Sequence, residues 1–211
     1  MDITIFISGM SLLISFITLY FNYIKYPKVR ICLGDSCKIY YADYVDGSRH
    51  GGGLYLPVDF INSTNKTAVI IKTAIVLYNK QNSNNRYFMK QSQFSKLDIN
   101  KNLWVYDELA HSIVIPPNNS VNKIIWYYWF LTSSPDFKYE KGDYELKFYY
   151  WSKPNKKPRC VKSSFSIDDS ILCRLEQAKN EQSTSTLDVI LEKDIDRNRF
   201  LTINEETKLL G

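Results

Sequence analysis

The chain opens with a long apolar run and then changes to short alternating segments. Residues 3–24 contain no charged residue, and about 20 apolar residues suffice to span a bilayer as a helix. Asp2 precedes the run, no small-residue cleavage site follows it, and three basic residues come next, which are Lys25, Lys28 and Arg30. Basic flanks favour the cytoplasmic side. The pattern therefore predicts an uncleaved transmembrane helix over 3–26, with the N-terminus outside and the rest cytoplasmic.

Polar residues within this run recur at alternating spacings of four and three positions. They are Thr4, Ser8, Ser11, Ser15, Thr18 and Asn22. On a helix this spacing places all of them on one narrow face. The stripe is interpreted either as a packing seam between helices or as the lining of a water-filled path. Both interpretations require self-association or a membrane partner, and chance alignment is the third interpretation.

Residues 27–168 read as short strands separated by turns. The pattern contains no alternating helices, which argues against an α/β enzyme and for an antiparallel β-sandwich of immunoglobulin type. A glycine-rich break is predicted at residues 51–53. The predicted strands are 28–33, 38–44, 54–62, 67–79, 86–90, 103–106, 111–115, 121–131, 139–152 and 159–167.

The last part of the chain, residues 169–211, is predicted to form a short C-terminal helix and an acidic tail. The helical pattern covers 168–182, with apolar residues at Ile171, Leu172 and Leu175. Residues 187–211 alternate between apolar and charged types, which is typical of either a short docking element or a mobile tail. The predicted fold is thus mainly β, with one helix at each end.

Charge is distributed unevenly between these parts. Residues 1–167 carry 21 Lys and Arg against 12 Asp and Glu, a net +9, whereas residues 168–211 carry 6 against 10, a net −4. A basic body beside a membrane suits anionic headgroups, a nucleotide or another acidic partner. A merely solvated basic surface is the alternative.

The densest basic cluster is the segment KPNKKPR at 153–159. A phosphate with an attached base is attracted by cations beside aromatic faces, so the segment is a candidate nucleotide-binding site. The alternatives are a solvated turn and a turn that rests on acidic headgroups. The candidate ligand-binding residues are Lys153, Lys156, Lys157, Arg159, Lys162 and Trp151. In 126–129, four consecutive aromatic residues should alternate faces, two buried and two exposed.

Catalytic chemistry is not indicated. The sequence has two histidines, lacks phosphate-binding glycine loops and nucleophile elbows, and disperses its carboxylates. Four cysteines have a poor spacing for zinc and are predicted to be reduced and buried; they are Cys32, Cys37, Cys160 and Cys173. We predict no enzyme, no cofactor and no metal.

One resemblance arises from the whole layout. The uncharged helix, its basic flank and strands such as LPVDFINSTNKTAVI and GDYELKFYYW resemble small bacterial single-pass proteins with a cytoplasmic β-sandwich, over roughly residues 1–168. Some proteins of this layout are transmembrane effectors of antiphage defence, of the CBASS and Hailong type. That resemblance implies an inner-membrane protein that answers a nucleotide or oligonucleotide signal made by a partner nucleotidyltransferase.

The leading hypothesis is a homo-oligomeric membrane effector or ion channel. Its cytoplasmic domain would sense a ligand and gate a pore lined by the polar stripe, with a tetramer as one arrangement. The alternative is a non-conducting adaptor or accessory subunit that is anchored in the bilayer and docks a soluble partner.

Overall fold

The computed structural model of the chain describes residues 3–20, 27–45, 49–98 and 103–191. These residues contain two helices, α1 (Ile3–Leu19) and α2 (Asp169–Asn180), and strand occupies about half of the chain. The mainly β prediction is therefore confirmed. The strands are β1 (Val29–Leu33), β2 (Ser36–Val45), β3 (Arg49–Asn62), β4 (Ala68–Ile70), β5 (Lys72–Asn79), β6 (Tyr87–Asp98), β7 (Leu103–Leu109), β8 (Ile113–Ile115), β9 (Asn119–Trp129), β10 (Gly142–Trp151), β11 (Arg159–Ile167) and β12 (Leu187–Ile190).

Ten of the described strands form one antiparallel sheet. Along the main path the strand order is β11-β10-β5-β6-β9-β3-β2-β12. Strand β1 also pairs with β3, and β7 also pairs with β6. Strands β4 and β8 form a separate two-stranded ribbon. The terminal strands β11 and β12 contact each other, so the sheet curves towards a barrel. The predicted immunoglobulin-type sandwich has two separate sheets, whereas this sheet continues through β6. Strand β6 does this because its first half pairs with β5 and its second half with β7 and β9.

The core lies between the two halves of this curved sheet. Phe60 on β3 and Phe148 on β10 are fully buried, with ring centroids 6.4 Å apart, although three strands separate β3 from β10 in the sheet. The Tyr139 hydroxyl donates to the Gly53 carbonyl at 2.8 Å. Alternate burial along β10, with every second side chain inside, is the expected pattern for a sheet with one packed face.

The predicted glycine-rich break is wrong, since residues 51–53 lie inside β3. A Cβ at Gly51 would meet the Tyr128 ring, and a Cβ at Gly52 would lie 2.6 Å from the Phe137 ring. Glycine is needed here because large aromatic rings lie directly on the strand backbone. The residue type thus marks a close approach instead of a turn.

The sheet also extends beyond the predicted boundary at residue 168. In β12, Leu187 pairs with Ile39 of β2, and three residues of this segment are buried in the core, which are Leu187, Val189 and Leu191. Helix α2 begins where predicted, because the Asp168 carboxylate accepts a hydrogen bond from the Ile171 amide at 2.8 Å. The predicted tail from residue 192 onwards lies outside the described residues.

Helix α1 is shorter than the predicted span of 3–26. It covers Ile3–Leu19, and residues 21–26 lie outside the described residues. Within the described part of the chain, no helix is both long and apolar enough to cross a bilayer. The 17 residues of α1 compare with the roughly 20 that a span requires.

Strand directions define one end of the sheet domain, which we name the α1 end. Here β1 begins at Val29, opposite Asn62 at the end of β3, and β9 begins opposite the same residue. Because all neighbours along the sheet are antiparallel, β3, β6 and β10 all run towards this end. The turn between β10 and β11, residues 152–158, therefore lies at the α1 end.

All four cysteines are free. Cys37 is fully buried, and burial, with a smaller contribution from Asp188, raises the pKa of its thiol. Cys32 is half-buried, whereas Cys160 and Cys173 are exposed. The prediction of buried cysteines is therefore wrong for the last two, because Cys160 faces outwards on the edge strand β11 and Cys173 lies on the solvent side of α2.

The close packing at β3 generates a stability prediction. At Gly53 the Tyr127 carbonyl occupies the space of a Cβ, so Gly53→Ala should lower the free energy of unfolding by about 1–3 kcal/mol through overpacking. Denaturant unfolding followed by tryptophan fluorescence measures this change.

The matched control is Gly9→Ala on α1, where an added Cβ has no heavy atom within 4 Å. It should leave the unfolding midpoint of the sheet domain unchanged. Equal midpoints for wild type and Gly53→Ala would contradict the packing described for β3.

Candidate functional site

Helix α1 presents apolar side chains over most of its circumference, apart from one narrow face of hydroxyl residues. Each of its side chains that the structure describes is exposed, and the large apolar ones retain between 46% and 76% of their accessible surface. A helix with apolar side chains on most sides is normally buried in a core or a membrane. The helix is therefore the largest apolar surface of the chain that the described residues leave uncovered.

The predicted polar stripe lies partly within the described helix. Ser8, Ser11, Ser15 and Thr18 follow one another at three- and four-residue spacing and so share a face. The Ser15 hydroxyl donates to the Ser11 carbonyl at 2.9 Å, which satisfies it without water. Thr4 is part of α1, but its side chain is not described, and Asn22 lies outside the described residues.

The predicted ligand-binding residues cluster at the β10–β11 hairpin. Lys156, Lys157 and Arg159 are exposed, and Lys153 is half-buried. Asn155 adopts a positive φ of 56° in this turn, a conformation that asparagine tolerates better than most residues. The four cations therefore lie together at the α1 end.

Trp151 and Lys162 differ from the rest of the predicted set. The ammonium of Lys72 on β5 lies 4.8 Å from the centroid of the half-buried Trp151 ring. One face of this ring is therefore occupied by the chain's own cation. Lys162 is exposed on β11, paired in register with Lys147 of β10, on the outer face of the sheet. The sequence did not indicate Lys72, because only the strand register brings it opposite Trp151.

That outer face is more basic than the sequence segment alone suggests. Arg86 and Lys147 both lie over the Tyr78 ring, at 4.6 and 5.2 Å. Burial acts to raise the pKa of Glu145, but hydrogen bonds with Tyr78 and Lys147 outweigh it, so that pKa is lowered. Glu145 therefore stays ionised, with its carboxylate 3.3 Å from the Lys147 ammonium. Among the charged residues named for this face, the cations outnumber this one carboxylate.

A second aromatic surface lies on the outer face of the other half of the sheet. Trp126 stacks on Tyr55 and on Tyr128, with centroids 6.2 and 5.1 Å away, and its indole donates to the Tyr40 hydroxyl. Burial raises the pKa of Tyr55. Within 126–129 the predicted alternation of faces is confirmed. The prediction of two exposed residues is wrong, since Tyr127 and Tyr128 are buried and both tryptophans are half-buried.

The outer aromatic surface ends in an open groove. Here β9 and β6 part after the pair Gln91↔Tyr127, and Phe88, Tyr128 and Phe130 line the space between them, together with Lys90. Sequence patterns place all these residues in strands but do not show where two strands separate.

Buried polar groups in the core have a structural explanation. The Tyr127 hydroxyl lies 2.6 Å from the Thr73 hydroxyl, which donates to the Gln91 side chain at 2.8 Å. Burial raises the pKa of Tyr127, so it stays neutral. Among the described residues, no three His, Cys, Asp or Glu side chains are grouped so as to hold a metal ion. The prediction that the chain is not an enzyme stays a prediction.

Comparisons with known proteins do not assign the chain to a family. No protein-family model and no curated protein matches the chain. The Northeast Structural Genomics Consortium target SoR45 is similar at a TM-score of 0.34 and 8% identity, over 82% of this chain and 96% of its own. A structure named ApaA, from Bordetella pertussis, has a TM-score of 0.31 and 10% identity, over 69% and 98%. At such TM-scores neither likeness supports a conclusion about this chain.

A charge cluster formed by Glu108 on β7, Lys123 on β9 and His111, which follows β7, generates a pH prediction. The imidazole of His111 lies 3.1 Å from the Glu108 carboxylate, which is 2.6 Å from the Lys123 ammonium. The hydrogen bond to the Ser112 carbonyl and then Glu108 raise the pKa of His111. A raised pKa means that protonated His111 stabilises the fold below its unfolded pKa, and that this stabilisation disappears as pH rises through the folded pKa.

We expect the His111 imidazole resonances to titrate above the ordinary histidine value, with a midpoint that falls in Glu108→Gln. NMR titration measures both, and His50, the only other histidine in the sequence, serves as the internal reference. A His111 midpoint unchanged by Glu108→Gln would show that the ion pair does not form in solution.

Proposed function

We propose that the chain is a membrane-anchored, homo-oligomeric effector. Copies assemble through α1 in the bilayer, and the sheet domain carries the basic surface that receives an anionic signal. The observation that supports this best is the exposure of α1, whose described side chains are uncovered on every side. So large an apolar surface is costly in water.

A bilayer is the simplest environment that removes this cost. The uncharged run of the sequence extends from residue 3 to residue 24, which meets the length of about 20 residues that a span requires. The basic flank after the run favours a cytoplasmic sheet domain, with the N-terminus outside. On this proposal the protein is a single-pass protein of the inner membrane.

The polar stripe supports assembly of copies rather than an isolated anchor. Small hydroxyl residues let helices approach closely and hydrogen-bond across the interface. Several copies, with a tetramer as one arrangement, would direct the stripe towards a central path and leave isoleucine, leucine and phenylalanine facing lipid. We propose that this path conducts ions.

The proposed signal is a nucleotide or oligonucleotide, in keeping with the resemblance to antiphage effectors. Lys162, Lys147 and Arg86, on the outer face of the sheet beside the basic hairpin at 153–159, supply the positive potential that such an anion needs. A partner nucleotidyltransferase would make the signal, and binding would change the assembly state of the membrane helices.

The test is ion flux from dye-loaded liposomes that contain the purified full chain. Wild type should conduct, and Ser8→Leu/Ser11→Leu/Ser15→Leu should lose most of the flux because the path is then lined by apolar side chains. Replacing three residues on the side of α1 opposite the stripe, with Phe6→Leu/Leu13→Ile/Ile17→Leu, is the matched control and should conduct as wild type.

A non-conducting adaptor or accessory subunit is the second candidate. The bond from Ser15 to the Ser11 carbonyl favours it, since hydroxyls satisfied within the helix need no water path. Insertion of all three proteins without flux from any of them, with and without cell extract, would reject the channel and leave this candidate.

A further inference from the structure

We propose that the α1 end of the sheet domain binds the acidic lipid headgroups of the membrane in which α1 is anchored. The inference rests on the proposed anchoring, and it names the lipid surface as the anionic partner of the basic β10–β11 turn. In this arrangement the domain lies against the bilayer through one defined end.

Two segments far apart in the sequence supply the charge. Lys28 and Arg30 lie at the start of β1, and Lys156, Lys157 and Arg159 lie at the β10–β11 turn; all of these side chains are exposed. None of them forms an ion pair with a carboxylate within the described residues. Their charge is thus available to an external anion.

The sheet topology brings these segments to the same end. Strand β3 ends opposite the start of β1, and β10 runs in the same direction as β3 through the antiparallel ladder. The contact between Phe60 and Phe148 across the core aligns the two strands. Both basic segments therefore lie where the chain enters the domain from α1.

Covalent geometry keeps this end close to α1. Seven peptide units join Tyr20 to Pro27, and an extended chain spans at most about 3.6 Å per residue, or roughly 25 Å. Basic residues within a Debye length of an anionic leaflet, about 8–10 Å, are attracted to it. The connection therefore keeps the start of β1 within roughly 25 Å of Tyr20, which allows the basic end to reach such a layer.

Among the residues that the structure describes, few carboxylates lie at the α1 end. Asp59 on β3 and Asp98 at the end of β6 are those that the strand register places nearest, and Asp59 accepts a hydrogen bond from Asn122 at 2.8 Å. The described residues near this end therefore carry a net positive charge, which is complementary to acidic headgroups.

A lipid surface fits these residues better than a nucleotide does. Recognition of a base requires an accessible aromatic face, and the only aromatic residue of the predicted set, Trp151, is half-buried with Lys72 over its ring. Headgroups need charge alone. The turn offers cations spread over exposed backbone, which is the arrangement that a surface of phosphates can engage.

Two native cysteines allow a direct test in the full chain. Cys160 lies beside Arg159, at the α1 end of β11, and Cys173 lies on α2, which comes after the opposite end of β11. The chain is labelled with a fluorophore at one of them, the other and Cys32 being replaced by serine. It is reconstituted into nanodiscs that contain a headgroup-labelled quencher lipid, either in phosphatidylcholine alone or with added phosphatidylglycerol.

We expect phosphatidylglycerol to increase quenching at Cys160 and to leave Cys173 unchanged. The increase should be lost in Lys156→Gln/Lys157→Gln and in high salt. The matched control is Lys80→Gln/Lys138→Gln, which removes the same charge from exposed positions outside the basic end and should keep the increase.

Equal quenching at Cys160 in the two lipid compositions would overturn the inference while leaving the anchoring intact. A second result would also overturn the inference: adenosine monophosphate changes the Cys160 fluorescence in phosphatidylcholine nanodiscs, whereas phosphatidylglycerol does not change it. The partner of the turn would then be a nucleotide. Failure of the chain to enter either nanodisc would instead contradict the proposed membrane anchoring.

Discussion

The fold depends on one strand that belongs to both halves of the sheet. Strand β6 pairs with β5 in its first half and with β7 and β9 in its second, so backbone hydrogen bonds continue from one layer to the other. A continuous ladder that covers its own apolar face has to curve, and the curve brings β11 towards β12. The core between the two layers, with Phe60 against Phe148, results from that constraint.

Since the sheet domain buries its own apolar face, α1 remains as the apolar element that the described residues do not cover. The strand directions then give the domain an orientation, because the chain enters it at the end where β3 and β10 both finish. Cations from β1 and from the β10–β11 turn meet at that end. The proposals of anchoring, assembly and headgroup binding therefore all concern the same end of the domain. This is the end where the chain arrives from α1 and where the basic residues lie.

The sequence predicted what depends on local pattern. Alternation gave most strands, and Asp168 before an apolar repeat gave the start of α2. It did not predict what depends on contacts between distant segments. Three glycines signalled a turn, yet they accommodate Tyr128 and Phe137 on a strand. Strand β12 was not predicted, because its four residues lie in an acidic segment and are recognisable as a strand only from their pairing with β2.

The same distinction between local patterns and contacts of distant segments applies to the candidate sites. The position of the basic turn and the helical spacing of the polar stripe could be taken from the sequence. The pairing of Lys72 with Trp151, the cations over Tyr78 and the stacked rings around Trp126 required the strand register. Periodicity identifies which face a residue shares with its neighbours along one strand, but it contains no information on which strands are adjacent.

The central claim is that α1 associates with copies of itself through its polar face. Cysteine cross-linking in membranes tests this most directly, with single cysteines placed at Ser11, Ser15, Leu13 or Ile17 in a chain whose exposed Cys160 and Cys173 are replaced by serine. Leu13 and Ile17 lie two residues beyond Ser11 and Ser15, on the opposite side of the helix. The account predicts cross-linked oligomers from the two serine positions and monomers from the other two. Equal cross-linking at all four positions, or none at any, would contradict it.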